Sequence, residues 1–249
     1  MSRPVRWVPR EHGAWAILAV PLLLGIAAAG STPAHALLAV AAVSAYLFSV
    51  PFIDWLRTRR PELLRPAAVF LVALAASGIP LLVQRPELAV VVALVGGAGL
   101  ATAALTVTGH PKSVLVSLLE VAQAIALVPA AAIVAGTLDA PATGRATLAA
   151  GLYLGGSVLV VRSMIRARGD ARFLAASIAF HAAGLLLAAL LLPLPYAVLA
   201  AALLARAVVL PVLAARSARG PHRLRPIHIG LVEIASSVSL VGLAFASGF

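Results

Sequence analysis

Apolar stretches of about 20 residues, the length that crosses a bilayer as one helix, recur along the whole chain. The expected spans are 14–30, 34–53, 66–83, 87–107, 113–136, 143–166, 172–192, 196–215 and 227–248. Chain breakers stand at most of the joints: Pro33, Pro61, Pro66, Pro86, Pro111, Pro141, Gly169, Pro193, Pro195, Pro221 and Pro226. One such stretch could be a buried core helix, but a long succession of them could not be covered by the few polar residues present. Only 11% of residues are charged and 62% are hydrophobic, against roughly a quarter charged in a soluble domain. The fold class this predicts is an all-α polytopic membrane protein with about nine transmembrane helices in a single membrane domain, 1–249.

Charge fixes the expected orientation. Arg3, Arg6 and Arg10 precede the first span. Arg57, Arg59, Arg60 and Arg65 follow the second, and Lys112 follows the fourth. Arg162, Arg166, Arg168 and Arg172 surround the joint after the sixth, and Arg216, Arg219, Arg223 and Arg225 follow the eighth. Alternating spans put all of these on one side, leaving the other with Arg85 and Arg145. Cytoplasmic loops hold the excess of Lys and Arg. The N-terminus is therefore expected in the cytoplasm and the C-terminus outside. The first apolar span is too long for a signal-peptide core and reads as an uncleaved helix.

The net charge of +11 does not indicate nucleic acid, because topology accounts for the basic loops and three Trp with three Tyr are too few for a base-stacking platform. Without cysteine there is no thiolate nucleophile and no Cys-ligated centre. Nucleotide-binding loops, a nucleophile elbow, His-Glu-x-x-His and EF-hand patterns are absent from the sequence.

Ionisable groups inside a bilayer are costly and usually face a bundle interior or a water-filled cavity. Glu120 and Glu233 lie one to two turns or so from the cytoplasmic ends of the fifth and ninth spans. Gln123 follows Glu120 on the same helical face. His181 and Arg206 stand near the middle of the seventh and eighth spans. At the cytoplasmic helix ends lie Glu11, His12, Asp54, His110, Lys112, Arg162, Arg166, Asp170 and His228. The external side has little to match them. These positions predict a polar cavity open to the cytoplasm, in which Glu11, His12, Asp54, Glu120, Arg162, Arg166 and Glu233 approach one another; Asp170 completes the set of ligand-binding candidates. His110, Lys112, Gln123, His181, Arg206 and His228 form a secondary set. No metal site is predicted, since the six histidines show no common helical spacing.

The opening Pro9-Arg10-Glu11-His12-Gly13-Ala14-Trp15-Ala16, followed by Val20-Pro21-Leu22-Leu23-Leu24-Gly25, resembles the YwiC-like family of bacterial membrane proteins. Ile229-Gly230-Leu231-Val232-Glu233, opening the last span, extends the resemblance from end to end. It implies a bacterial inner-membrane protein and supplies no catalytic residues. In helix count and orientation the chain is also similar to the UbiA-type intramembrane prenyltransferases. Those enzymes hold magnesium and a prenyl diphosphate on two aspartate-rich motifs after helices two and six, where this chain has Asp54 and Asp170. Asp54 is followed by Trp55, Leu56, Arg57 and Thr58, and Asp170 is preceded by Arg162, Arg166 and Arg168. A magnesium pair needs several carboxylates, so no cofactor is expected. Arginine could instead hold an anion directly. The function expected first is a UbiA-like membrane protein for an isoprenoid or other lipid-like anion. A small-molecule transporter or permease, and a non-catalytic membrane assembly partner, are the alternatives. Partners are the lipid bilayer and a lipid-like or anionic small molecule.

Overall fold

The computed structural model describes residue 7 and residues 12–111, 113–138, 140–217 and 226–249. Among these there are α-helices, one short 3-10 turn and no strand. The helices are α1 (His12–Ala29), α2 (Ala34–Thr58), α3 (Leu64–Gln84), α4 (Leu88–Val107), α5 (Val114–Ile125), α6 (Leu127–Ala135), α7 (Ala140–Ile165), α8 (Ala171–Leu191), α9 (Leu194–Ser217) and α10 (Pro226–Ser247). Eight spans among the described residues are long and apolar enough to cross a membrane, with α5 and α6 counted as one; Trp15–Ala29 adds a shorter apolar helix. The chain is a multi-pass helical membrane protein, and the expected spans agree with the observed helices apart from two features.

The first is the fifth span. Hydropathy predicts one helix over 113–136, whereas the structure has α5 and α6 with Ala126 between them. Pro129 causes the break: it has no N–H for the carbonyl of Ile125, and its ring crowds that carbonyl. The second is α2, which continues past residue 53 to Thr58, so Asp54 and Arg57 lie on the helix instead of following it. It stops at Arg59, which adopts a left-handed conformation (φ 55°) and donates its N–H to the Trp55 carbonyl at 2.7 Å.

Two compact units, residues 1–139 and 140–249, make up the chain. In the first, α2 and α3 form an antiparallel pair joined by the 3-10 turn Pro61–Leu63, α4 packs on α5, and α1 packs on α6. Its core gathers Leu38, Leu81, Leu88, Ala130, Ala131 and Val134. The α1–α6 contact is close because Gly25 has no side chain. A Cβ there would lie 2.7 Å from the Ala131 Cβ and 2.8 Å from the Val128 carbonyl oxygen. Small residues of this kind let helix backbones approach in lipid. His35 ties α2 to α6: Nδ1 accepts from the Thr32 N–H at 2.9 Å, which leaves Nε2–H to donate to the Ala131 carbonyl at 3.0 Å. The Thr137 hydroxyl donates to the Ala29 carbonyl at 2.6 Å and satisfies the end of α1.

Among the described residues the second unit has four helices. α8 and α9 pair, α7 packs on both, and α10 packs on α9 and α7. Val160, Met164, Ala207 and Ala214 form an apolar core in it. On α8 the buried positions are Ser177, His181, Gly184 and Ala188, spaced so that one stripe faces the interior.

Candidate functional site

Each helix of the second unit sends polar side chains into the same interior. α7 supplies Tyr153 and Ser157, one turn apart, and α8 supplies Ser177 and His181 with the same spacing. α9 supplies Arg206, and α10 supplies Glu233 and Ser237, again one turn apart. The spacing of four residues places both members of each pair on one helical face.

Arg206 and Glu233 join two of these helices. Arg206 Nη1 donates to Glu233 Oε1 at 2.6 Å, and their side chains are 6% and 20% exposed. The Arg206 Nη2 donates a long bond of 3.4 Å to the Ser157 hydroxyl. Tyr153 OH donates to the Glu233 carbonyl at 2.9 Å, lies 2.6 Å from Ser237 Oγ and 3.5 Å from Glu233 Oε2. The Ser237 hydroxyl donates to the same carbonyl at 2.9 Å. His181 Nδ1–H donates to the Ser177 carbonyl at 2.7 Å, which leaves Nε2 as the bare nitrogen of a neutral ring. That nitrogen faces Gly156 of α7, where a Cβ would come within 2.7 Å. Three atoms of the group are buried with no hydrogen-bond partner among the described residues: Arg206 Nε, His181 Nε2 and Ser177 Oγ. An unmatched polar atom in a dry interior costs about 1–3 kcal/mol.

The other expected site residues are distributed as follows. Glu11 and Lys112 lie outside the described residues, as does the side chain of His12, whose backbone opens α1. In the first unit, Asp54 is exposed and paired loosely with Arg57 at 3.9 Å on the same helix. Glu120 is exposed on α5, and His110 is exposed beyond α4. Gln123 donates to the Thr102 hydroxyl of α4 at 3.4 Å and to the Leu119 carbonyl at 3.2 Å, a bond between neighbouring helices. In the second unit, Arg162 is half-buried with Nη1 unpartnered among the described residues, whereas Arg166 lies just beyond α7 and is exposed. His228 is exposed near the start of α10.

Asp170 caps α8. Its Oδ1 accepts from the N–H groups of Arg172 and Phe173, both at 3.0 Å. Asp170→Ala should lower stability by about 1 kcal/mol, and Asp170→Ser should restore most of that, as read by thermal unfolding of the purified protein. A loss unaffected by serine would mean that the acid serves something besides the cap. No three His, Asp or Glu side chains among the described residues gather as a metal site.

Tyr153, Ser157, Ser177 and Ser237 are not among the residues expected from charge. Their signal in the sequence is the polar pair at i,i+4 inside an apolar span, repeated on three helices.

No curated protein and no solved structure matches the chain. A family model described as YwiC-like protein matches residues 8–132, about half the chain. The matched residues include the Val20–Gly25 block that packs α1 on α6, and end within α6. The Ile229–Glu233 block and the whole polar interior of the second unit lie beyond the match. By that match over its N-terminal half, the chain belongs to the YwiC-like family.

Proposed function

We propose that the protein is a carrier for a small anionic solute in the bacterial cytoplasmic membrane, with its N-terminus in the cytoplasm and the anion held in the second unit. The observation that carries this is the Arg206–Glu233 pair in the midst of membrane-spanning helices, with one guanidinium nitrogen left over. A charge on the helix centre costs about 2.5–3.5 kcal/mol on insertion scales. A buried ion pair is often no more stabilising than well-packed apolar residues, so helix packing alone does not call for one. An anion site does, because Arg206 supplies the counter-charge and the hydroxyls of Tyr153, Ser157 and Ser237 supply polar partners.

The UbiA-like reading rests on helix count and on the placement of Asp54 and Asp170, neither of which presents a paired-carboxylate motif. A lipid-like anion is therefore a weaker candidate than a soluble one. Reconstituted protein should take up at least one of lactate, pyruvate, succinate, phosphate or sulfate faster than protein-free vesicles do, and Arg206→Met should abolish the difference. Uptake equal to that of empty vesicles across the panel would overturn the carrier.

A further inference from the structure

In the second unit, the end of α7, the start of α8 and the last turns of α9 enclose a cavity of about 290 Å³. Its floor is the apolar core, since Met164 and Ala214 belong to both. The joint between α7 and α8 is built of small residues, Ala167, Gly169 and Ala171, which leave the space unfilled. Leu174 and Pro211 add further apolar wall. The polar side chains in the lining are Ser163, Arg168 and Asp170. Ser163 spends its hydroxyl on the Val160 carbonyl at 2.7 Å. Asp170 spends Oδ1 on the two N–H groups that open α8. Arg168 is therefore the one cation in the lining among the described residues, at the mouth of a chamber that is otherwise apolar.

The surroundings of the mouth are strongly basic. Between residues 162 and 172 there are four arginines, Arg162, Arg166, Arg168 and Arg172, and Asp170 is the one acid. Arg166, Arg168 and Arg172 are exposed, and none of the ion pairs among the described residues involves them. The cavity lies at the ends of three helices, which is the depth of the lipid headgroups. We propose that it takes one acyl chain of an anionic phospholipid from the surrounding leaflet, with the lipid phosphate held by Arg168 at the mouth. Basic pockets between membrane helices hold anionic headgroups in this way, and arginine matches the geometry of a phosphate.

Both halves of the ligand are needed to account for the site. A free phosphate would use Arg168 and leave the apolar lining empty. A zwitterionic lipid would fill the lining but bring its own cation to a basic mouth. The start of α8 is not the phosphate site, because the Asp170 side chain already takes its first free N–H groups. Asp170 also repels a phosphate, so Arg168 holds the headgroup on the side away from it, and Arg166 and Arg172 add to the attracting field. With the N-terminus in the cytoplasm, this end of the unit faces the leaflet whose anionic lipids give it a negative surface potential. The cavity is lined by neither Arg206 nor Glu233, so the inference is independent of the carrier reading.

The test reconstitutes the purified full chain into phosphatidylcholine vesicles that contain a graded fraction of phosphatidylglycerol carrying a diazirine near the end of one acyl chain. Adducts formed by light and located by peptide mass spectrometry should saturate on Met164, which at 2% exposed is out of reach of bulk lipid, and on Leu174. The same diazirine on phosphatidylcholine should give no saturable adduct there, and inorganic phosphate at constant ionic strength should not displace the phosphatidylglycerol. Arg168→Gln should raise the half-saturating fraction about fivefold, whereas Arg59→Gln in the first unit should leave it unchanged. Ala171→Phe and Ala215→Phe, which fill the cavity from α8 and α9, should each cut the Met164 adduct. Adducts absent from Met164 and Leu174 in the wild type would overturn the inference. So would saturable labelling by the phosphatidylcholine probe, displacement by inorganic phosphate, an equal shift in Arg59→Gln, or Met164 labelling unaltered in both phenylalanine variants.

Discussion

Glu233→Leu should cost the folded protein about 3–5 kcal/mol, because it strands the Arg206 guanidinium, 8% exposed, without its counter-charge. Adding Arg206→Met to the same chain should recover most of that loss, since two apolar side chains of similar volume replace two charges that no longer need each other. The comparison separates fold from function. The double variant should unfold close to the wild-type temperature in detergent while binding no anion. Glu233→Leu as stable as the wild type would mean that the pair is hydrated. A double variant no better than the single one would mean that Arg206 has a structural duty besides Glu233.

Gly25→Leu should abolish accumulation of the protein in membranes. The Cβ alone would meet the Ala131 Cβ at 2.7 Å, and the Val128 carbonyl oxygen and Cα at 2.8 and 3.1 Å. Two of those atoms are backbone, so α1 and α6 must separate. Overpacking of a tight interface typically costs about 1–3 kcal/mol, which is the expectation for Gly25→Ala. Leucine adds three more carbons to a contact already bounded by Leu24, 0% exposed, and Val128, 0% exposed. Gly96→Leu on α4, where nothing lies within 4 Å of the added Cβ, is the control and should be tolerated. A fluorescent fusion reporting membrane abundance, together with the melting temperature of what accumulates, reads both variants. Equal abundance of the two would show that the α1–α6 contact is looser than these distances.

The long apolar helices are legible in the sequence because hydropathy and helix length answer to the same bilayer thickness. The break at Ala126 is not visible to hydropathy. Pro129 is itself apolar, and its effect lies in a missing backbone donor, not in its side chain. Asp54 shows a related limit: charge marks where an apolar span stops, but α2 continues to Thr58 because helix formation does not require lipid around it. For the polar interior, charge picks out Arg206 and Glu233 but says nothing of their pairing, which depends on how α9 meets α10. Tyr153, Ser157, Ser177 and Ser237 escape a search based on charge because serine and tyrosine are common in membrane helices. What distinguishes these four is recurrence at i,i+4 on helices that converge. Asp170 illustrates the reverse case. An acid directly before a helical segment is an N-cap signal, and a ligand role suggested by topology has to be weighed against that local duty.

The pairing of Arg206 with Glu233 also has an electrical consequence. A membrane voltage does work on net charge, about 2.3 kcal/mol for each elementary charge carried through 100 mV. Two opposite charges 2.6 Å apart that move together present almost none to the field. A helix movement that displaced the two side chains together would therefore do almost no work against the membrane voltage.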